Sequence, residues 1–139
     1  MKVIDIVSPN HEEAAAVLGT SMAKLVEELG SEEEALGYLA DQFIQAGVGK
    51  YRQGCVAIRA GKRGSVVARN GTPRWHIPAY WQCDKTSQDN NHVKDVTGAG
   101  NSFCGGFCVS TCCWFQRYIT KTYRHMCTLY MNRCLGRTS

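Results

Sequence analysis

The sequence contains no long hydrophobic run, and this absence argues against one class of protein. Its 139 residues are 44% hydrophobic, and no stretch approaches the roughly 18 consecutive apolar residues that a membrane-spanning helix needs. Residues 1–5 also lack an apolar run of signal-peptide length. These features predict a cytoplasmic protein with no membrane partner, and a chain of this length fits one domain at most.

Acidic residues are missing from the last part of the chain. All 12 Asp and Glu residues lie within residues 1–110, whereas the remaining 29 residues carry five basic residues. The net charge of +4 is therefore a property of this tail. The shift in composition predicts a globular part, residues 1–109, and an atypical, poorly ordered Cys- and Arg-rich tail, residues 110–139. We expect the tail to be translated intron or out-of-frame sequence.

Three familiar binding motifs are absent. The eight cysteines include no C-x-x-C pair, so Cys104, Cys108 and Cys112 are weak candidates for structural zinc, and small apolar cysteines on a helix face are favoured. No G-x-x-x-x-G-K-[ST] occurs, which excludes a P-loop. After Gly98-x-Gly100, Phe103 stands where the dinucleotide fingerprint needs its third glycine.

Aromatic residues near Arg74 offer a possible nucleic-acid surface. Trp75, Tyr80 and Trp81 lie close to it in sequence, and such rings can stack on bases. The acidic residues of the globular part argue against a basic footprint, so no specific nucleic-acid partner is predicted. We expect these rings to cover the sheet.

Hydrophobic patterns predict alternating strands and helices, and hence an α/β layer architecture. Residues 3–7, 55–58 and 65–68 are typical of buried strands, and the turn at 61–64 joins the last two. Asn10 is predicted to open a helix, with Glu13 three residues later. Apolar residues then mark one face of a helix that Gly30 can end, and Ser31 with Glu34 opens the next helix.

Gly98, Ala99 and Gly100 precede a helix that is predicted to begin at Ser102. Small residues let the backbone approach an anion, and successive N–H groups beside the positive end of a helix favour negative charge. Tight packing would select the same residues. From this pattern alone, both interpretations stay open.

The wider segment resembles the C-terminal signature of the PfkB family of ribokinase-type carbohydrate kinases, D-x-x-G-A-G-D-x-F-x-x-G. It reads Asp95-x-Thr97-Gly98-Ala99-Gly100-Asn101-x-Phe103-x-Gly105-Gly106. Residues 9–13 are similar to the family's N-x-x-E motif, and residues 56–64 to its strand and turn K-x-G-x-x-G. The resemblance covers residues 1–109. It implies a ribokinase-like three-layer, Rossmann-like sheet, of which this chain holds the C-terminal portion only.

The resemblance implies an ATP- and magnesium-dependent kinase acting on a hydroxyl of a sugar or nucleoside-like substrate. Gly98, Ala99 and Gly100 would then form the anion hole. Asn101 occupies the position of the family's catalytic base, yet an amide cannot accept a proton at neutral pH. Asp95 belongs to a different slot of the signature. A fungal ribokinase-like subgroup, with D-P-T-G-G-G-N at this place, resembles the chain more closely.

The other motifs imply contacts with the nucleotide and with magnesium. By resemblance, Asn10, Glu13 and Asp95 orient phosphate and magnesium without ligating the metal directly. Arg59, Gly61 and Gly64 would border the nucleotide. Each motif also has an ordinary structural interpretation, because Asn10 with Glu13 can simply cap a helix and the glycines can simply form a turn.

Three hypotheses about function follow. In the first, the chain is part of a kinase whose N-terminal half, with most of the sugar pocket, precedes it, and the chain is inactive alone. In the second, it is a non-catalytic nucleotide- or phosphate-binding pseudokinase or regulatory protein. In the third, it is a nonfunctional fragment. None of them predicts the substrate or the oligomeric state.

Overall fold

The computed structural model describes residues 4–79 and 95–113. The chain divides into two compact units, Met1–Ala79 and Tyr80–Ser139, called unit 1 and unit 2 below. The described part of unit 1 holds a four-stranded sheet with three α-helices, and the described part of unit 2 holds one α-helix. Each unit is described by itself.

The sheet of unit 1 has the strand order β1-β2-β3-β4. Its strands are β1 (Ile6–Val7), β2 (Cys55–Arg59), β3 (Ser65–Arg69) and β4 (Trp75–Ile77). Strands β1 and β2 are parallel, with Ile6 opposite Cys55, and the other pairs are antiparallel. The strands predicted at 55–58 and 65–68 are confirmed, each with one further residue. The sequence did not predict β4, whose Trp75 pairs with Val67 at the sheet edge.

The central strands are buried on both faces. Val56, Ile58 and Val66 belong to the main hydrophobic core. On the opposite face of the same strands, Ala57 and Val67 are buried as well. Near-continuous burial of this kind is typical of strands inside an α/β structure, and it explains their apolar, β-branched sequence.

Three helices connect β1 to β2. They are α1 (His11–Val17), α2 (Met22–Leu29) and α3 (Glu32–Ala46). Separate caps begin α2 and α3, because the side chains of Ser21 and Ser31 accept hydrogen bonds from the N–H groups of Lys24 and Glu34. The predicted stop at Gly30 is confirmed, since this residue ends α2 in the left-handed region with φ 83°.

The core of unit 1 lies between these helices and the sheet. On α3 the buried residues are spaced along one face: Leu36, Leu39, Ala40 and Phe43. They join Met22 and Leu25 of α2 and the inward side chains of β2 and β3 in one cluster. Burying a leucine or phenylalanine side chain stabilises a fold by about 1.5–3 kcal/mol, so this cluster supplies the scaffold of unit 1.

Unit 2 is described from residue 95 through α4 (Ala99–Cys113). The prediction that this helix begins at Ser102 is wrong. It begins three residues earlier, because Gly98 turns the chain directly into it. The predicted tail boundary after residue 109 falls within α4 and stays a prediction. Residues 80–94, which include Tyr80 and Trp81 with their predicted place on the sheet, and the residues after 113 lie outside the described part. The described helices include none suited to spanning a membrane.

Candidate functional site

The structure brings three predicted residues of unit 1 together at the carboxyl ends of β1 and β2. Asn10 follows β1, Arg59 ends β2, and the two form a parallel bridge. The Arg59 N–H donates to the Pro9 carbonyl at 3.0 Å. Glu13 lies one helical turn into α1. Ligands of α/β proteins bind at the carboxyl ends of parallel strands, so this edge is a suitable place for a site.

Asn10 and Glu13 form a reciprocal capping box. The Glu13 N–H donates to Asn10 Oδ1 at 2.7 Å, and the Asn10 N–H donates to Glu13 Oε2 at 2.7 Å. The cap interpretation of this motif is thereby confirmed. Glu13 Oε1 has no protein partner in the described ranges, and the side chain is 58% exposed. This oxygen is available to a water molecule, and the predicted role toward magnesium stays a prediction.

Arg59 connects this cap to β2. Its Nη2 donates to the Ser8 carbonyl at 3.1 Å and lies 3.6 Å from Glu13 Oε2. The side chain is only 23% exposed. The Nε atom is buried and has no hydrogen-bond partner within residues 4–79 and 95–113. Arg59 is therefore a partly buried cation beside a carboxylate.

Sequence reasoning gave no role to His11 or Arg63, which complete the network. Arg63 Nη2 donates to His11 Nε2 at 2.9 Å, and the His11 ring lies 3.3 Å from the Arg59 carbonyl through Nδ1. Because a guanidinium only donates, we assign the imidazole proton to Nδ1, which donates to that carbonyl. Arg63 also pairs with Glu32 of α3. His11 lies within the N-x-x-E-like segment and Arg63 within the K-x-G-x-x-G-like segment, but only their contacts show that they belong to this network.

The predicted turn between β2 and β3 is confirmed. The Ala60 N–H donates to the Gly64 carbonyl at 2.8 Å, and Gly64 donates back to Gly61 at 3.0 Å. Gly64 has a φ of 87°, and a Cβ there would collide with the Ile77 carbonyl oxygen of β4. A structural cause therefore requires glycine at this position. The proposed contact of Gly61 and Gly64 with a nucleotide stays a prediction.

In unit 2, residues 95–98 form a tight turn. The Thr97 N–H donates to Asp95 Oδ1 at 2.8 Å, and this bond lowers the pKa of the Asp95 carboxyl, with a smaller contribution from the Thr97 side chain. Gly98 has a φ of 77°, and no described atom lies within 4 Å of a Cβ placed on it. The turn is exposed, so its backbone is open to a ligand.

The first turn of α4 presents backbone donors. Within the described ranges, the N–H groups of Gly100 and Asn101 have no hydrogen-bond partner. Such groups at a helix start, together with the helix dipole, favour an anion. The Asn101 side chain is exposed in this turn. It can donate to or accept from a hydroxyl, but it cannot remove its proton.

The described residues provide no group of three or more His, Cys, Asp and Glu side chains that could hold a metal ion. Cys104 and Cys108 are free thiols on α4, and Cys108 is exposed. Both lie on a helix, as the favoured interpretation of small cysteines on a helix face expects. The zinc hypothesis gains no support in the described ranges, and the side chain of Cys112 lies outside them.

No family model matches the chain. It is 36% identical over 111 residues to protein MAK32 of Saccharomyces cerevisiae, an alignment that covers 76% of this chain and 26% of that protein. The chain thus spans about a quarter of the length of this relative.

Comparison with solved structures identifies the fold. One is phosphofructokinase-2 from Escherichia coli in complex with fructose-6-phosphate. The match covers 95% of this chain and 35% of the phosphofructokinase chain, with a TM-score of 0.59 and 14% identity. Another is ribokinase from Cryptococcus neoformans var. grubii in complex with ADP. The match covers 97% of this chain and 39% of the ribokinase chain, with a TM-score of 0.60 and 17% identity. The chain has a ribokinase-like α/β fold. That prediction is confirmed, and at these identities the likeness extends to the fold alone.

The predicted site residues form two groups, one in each unit of this ribokinase-like chain. In unit 1, Asn10, Glu13 and Arg59 meet at one sheet edge. In unit 2, Gly98 leads into α4, and Asn101 lies in its first turn. The roles that the signature implies for these residues remain predictions.

Proposed function

We propose that the chain is part of a kinase that transfers the γ-phosphoryl group of ATP to a hydroxyl of a sugar or nucleoside-like substrate. The observation that carries the proposal is the exposed turn at Gly98, whose positive φ leads directly into the first turn of α4. It occurs in a chain with a ribokinase-like fold. The ADP of one structural neighbour and the fructose-6-phosphate of another support a nucleotide and a sugar-like substrate for this chain.

Backbone donors are the main chemical contribution of unit 2. Phosphoryl transfer depends mostly on positioning and on stabilising the charge that spreads over the transferred group. In the proposal, Gly98, Ala99 and Gly100 shape the anion hole, and the unpaired N–H groups of the α4 start donate to that group. The Ala99 N–H already donates to the Val96 carbonyl at 3.1 Å, so the donors are those of Gly100 and Asn101. The α4 dipole adds positive potential. Asp95 keeps the turn in shape through its bond to Thr97.

Unit 1 would contribute contacts to the nucleotide and its metal. Magnesium bound with ATP bridges phosphate oxygens and neutralises their charge. The free Oε1 of Glu13 fits a contact to a metal-bound water, and Asn10 fixes the carboxylate through the capping box. Arg59, Gly61 and Gly64 would border the nucleotide. Asn10 and Glu13 suit an indirect role toward magnesium, because the carboxylate oxygens of Glu13 can accept hydrogen bonds from metal-bound water.

Asn101 favours a second candidate function. In the kinase proposal Asn101 orients the substrate hydroxyl by a hydrogen bond. The hydroxyl oxygen bonds to the γ-phosphorus as ADP leaves, and the hydroxyl proton passes to solvent water rather than to a protein base. Loss of a general base costs about 10²–10⁴-fold in rate. A non-catalytic nucleotide- or phosphate-binding protein would keep the donors of α4 and lose turnover altogether. The two candidates therefore agree on ATP binding and differ on transfer.

Because the chain is expected to be inactive alone, the test uses a full-length protein that carries this chain, with Asn101 intact and as its Asn101→Asp variant. It measures transfer from radiolabelled Mg-ATP to a panel of sugars and nucleosides. The kinase proposal expects measurable transfer, and a rate about 10²–10⁴-fold higher with the aspartate. The control variant Asn101→Ala should be slower than the unchanged full-length protein. Calorimetric binding of Mg-ATP without transfer by any variant would favour the non-catalytic candidate. Absence of both binding and transfer would overturn both candidates.

A further inference from the structure

Arg59 has unused hydrogen-bond donors. A guanidinium group carries five N–H donors, and the described contacts of Arg59 use one of them, to the Ser8 carbonyl. Its approach to Glu13 Oε2, at 3.6 Å, is an ion pair beyond hydrogen-bond length. Glu13 Oε2 instead accepts from the Asn10 backbone at 2.7 Å. Arg59 therefore lies beside the Glu13 carboxylate and still has donors without a described partner, of which Nε is buried.

The backbone of Arg59 is held from both sides. Its N–H donates to the Pro9 carbonyl, its carbonyl accepts from His11 Nδ1, and it pairs with Ser65 in the sheet. The Arg59 side chain is 23% exposed, and its Nη2 bond to the Ser8 carbonyl restricts the guanidinium before any ligand binds. Preorganised charges bind more favourably because little ordering is needed.

Of the two arginines in this network, Arg59 makes fewer described side-chain hydrogen bonds than Arg63. Arg63 already donates to His11 through Nη2 and pairs with Glu32 through Nη1. Glu12 lies against His11, 3.5 Å from Nε2. Glu13 is the carboxylate that would repel an incoming phosphate, and Arg59 is the cation placed beside it.

We propose that Arg59 acts as a built-in counter-cation for the phosphate groups of the nucleotide, so that the chain binds ATP without magnesium. This inference rests on the proposed function for the identity of the ligand. In a site without such an arginine, magnesium must offset the repulsion between phosphates and the carboxylate. Here a guanidinium already does so, and arginine also binds phosphate through two parallel hydrogen bonds.

The experiment is a calorimetric titration of the whole chain with ATP, once in EDTA and once in excess magnesium. The unchanged chain should bind both forms with affinities within about threefold of each other, since one charge-assisted contact replaces the metal. Arg59→Gln should weaken metal-free ATP binding by about 10- to 100-fold and Mg-ATP binding much less.

Arg69 provides the matched control. It is the last residue of β3, as Arg59 is of β2, and its Nη2 also donates to one backbone carbonyl, that of Gln53 at 3.2 Å. Arg69→Gln should leave both affinities unchanged. Arg59→Lys preserves the charge but not the two-pronged geometry, so its magnesium dependence should be intermediate. This second variant keeps the test decisive if Arg59→Gln does not fold.

Two results would overturn the inference and leave the proposed function intact. In the first, the unchanged chain binds ATP in excess magnesium but does not bind it in EDTA. In the second, the unchanged chain and all three arginine variants give identical titrations. Failure to bind ATP in either condition, by a chain with a normal circular dichroism spectrum, would overturn the inference together with the proposed function.

Discussion

The predicted functional residues of the two units differ in how firmly the structure holds them. In unit 1, Glu13 and Arg59 participate in a capping box, an ion pair and backbone contacts. In unit 2, the Gly98 turn is exposed, and its one described side-chain contact joins Asp95 to Thr97. Substitutions in unit 1 should therefore change stability and binding together, whereas those in unit 2 should affect binding with little effect on folding.

The largest predicted effect concerns Gly64. The change Gly64→Ala combines a left-handed backbone with a collision against the Ile77 carbonyl, and should destabilise unit 1 by about 2–5 kcal/mol. The matched change Gly61→Ala has φ 58° but meets no described atom within 4 Å, so about 1–2 kcal/mol is expected. Urea denaturation followed by circular dichroism measures both. Equal losses would show that β4 does not constrain this turn.

A smaller effect separates capping from binding. Asn10→Ala and Ser21→Ala each remove a helix N-cap, so each should lower the free energy of unfolding by about 0.5–2 kcal/mol. Only Asn10→Ala should also weaken ATP binding, because Asn10 holds Glu13 at the proposed site. Parallel urea denaturation and ATP titration measure the two quantities. Equal weakening of ATP binding by both variants would mean that Asn10 acts through stability alone.

The smallest predicted effect concerns Asp95 and is measured by pH. Its carboxyl pKa is lowered, chiefly by the Thr97 N–H bond. A lowered pKa means that the turn gains stability above the ordinary carboxyl pKa, and loses that gain as the pH falls through the lowered value. NMR titration of the Asp95 carboxyl should show this lowered midpoint. In Thr97→Ala it should rise only part of the way, because the backbone bond remains; an unchanged midpoint would exclude the Thr97 side-chain contribution.

Much of unit 1 could be predicted from the sequence, because local patterns determine it. The β-branched residues of β2 and β3 mark buried strands, and the Asn10 and Ser31 caps mark helix starts. The ribokinase-like fold was predicted from the signature around Gly98, and the structural neighbours confirm it. These features depend on residues close together in the chain.

The rest depends on contacts between distant residues. The Arg63 bonds to His11 and Glu32 span 52 and 31 positions, and no local pattern indicates them. Strand β4 has only three residues, and its pairing with β3 defines it better than its composition does. The early start of α4 reflects the positive φ of Gly98, because the preceding glycine can turn straight into a helix.

ATP titration of two Gly98 variants tests the central claim most directly. Aspartate and asparagine tolerate the left-handed backbone similarly, but Gly98→Asp places a negative charge at the proposed anion site. The account predicts that Gly98→Asp weakens ATP binding at least tenfold relative to Gly98→Asn, whereas Gly105→Asp, on an exposed part of α4, leaves it unchanged. Equal affinities for the two Gly98 variants, or no ATP binding by the unchanged chain, would contradict it.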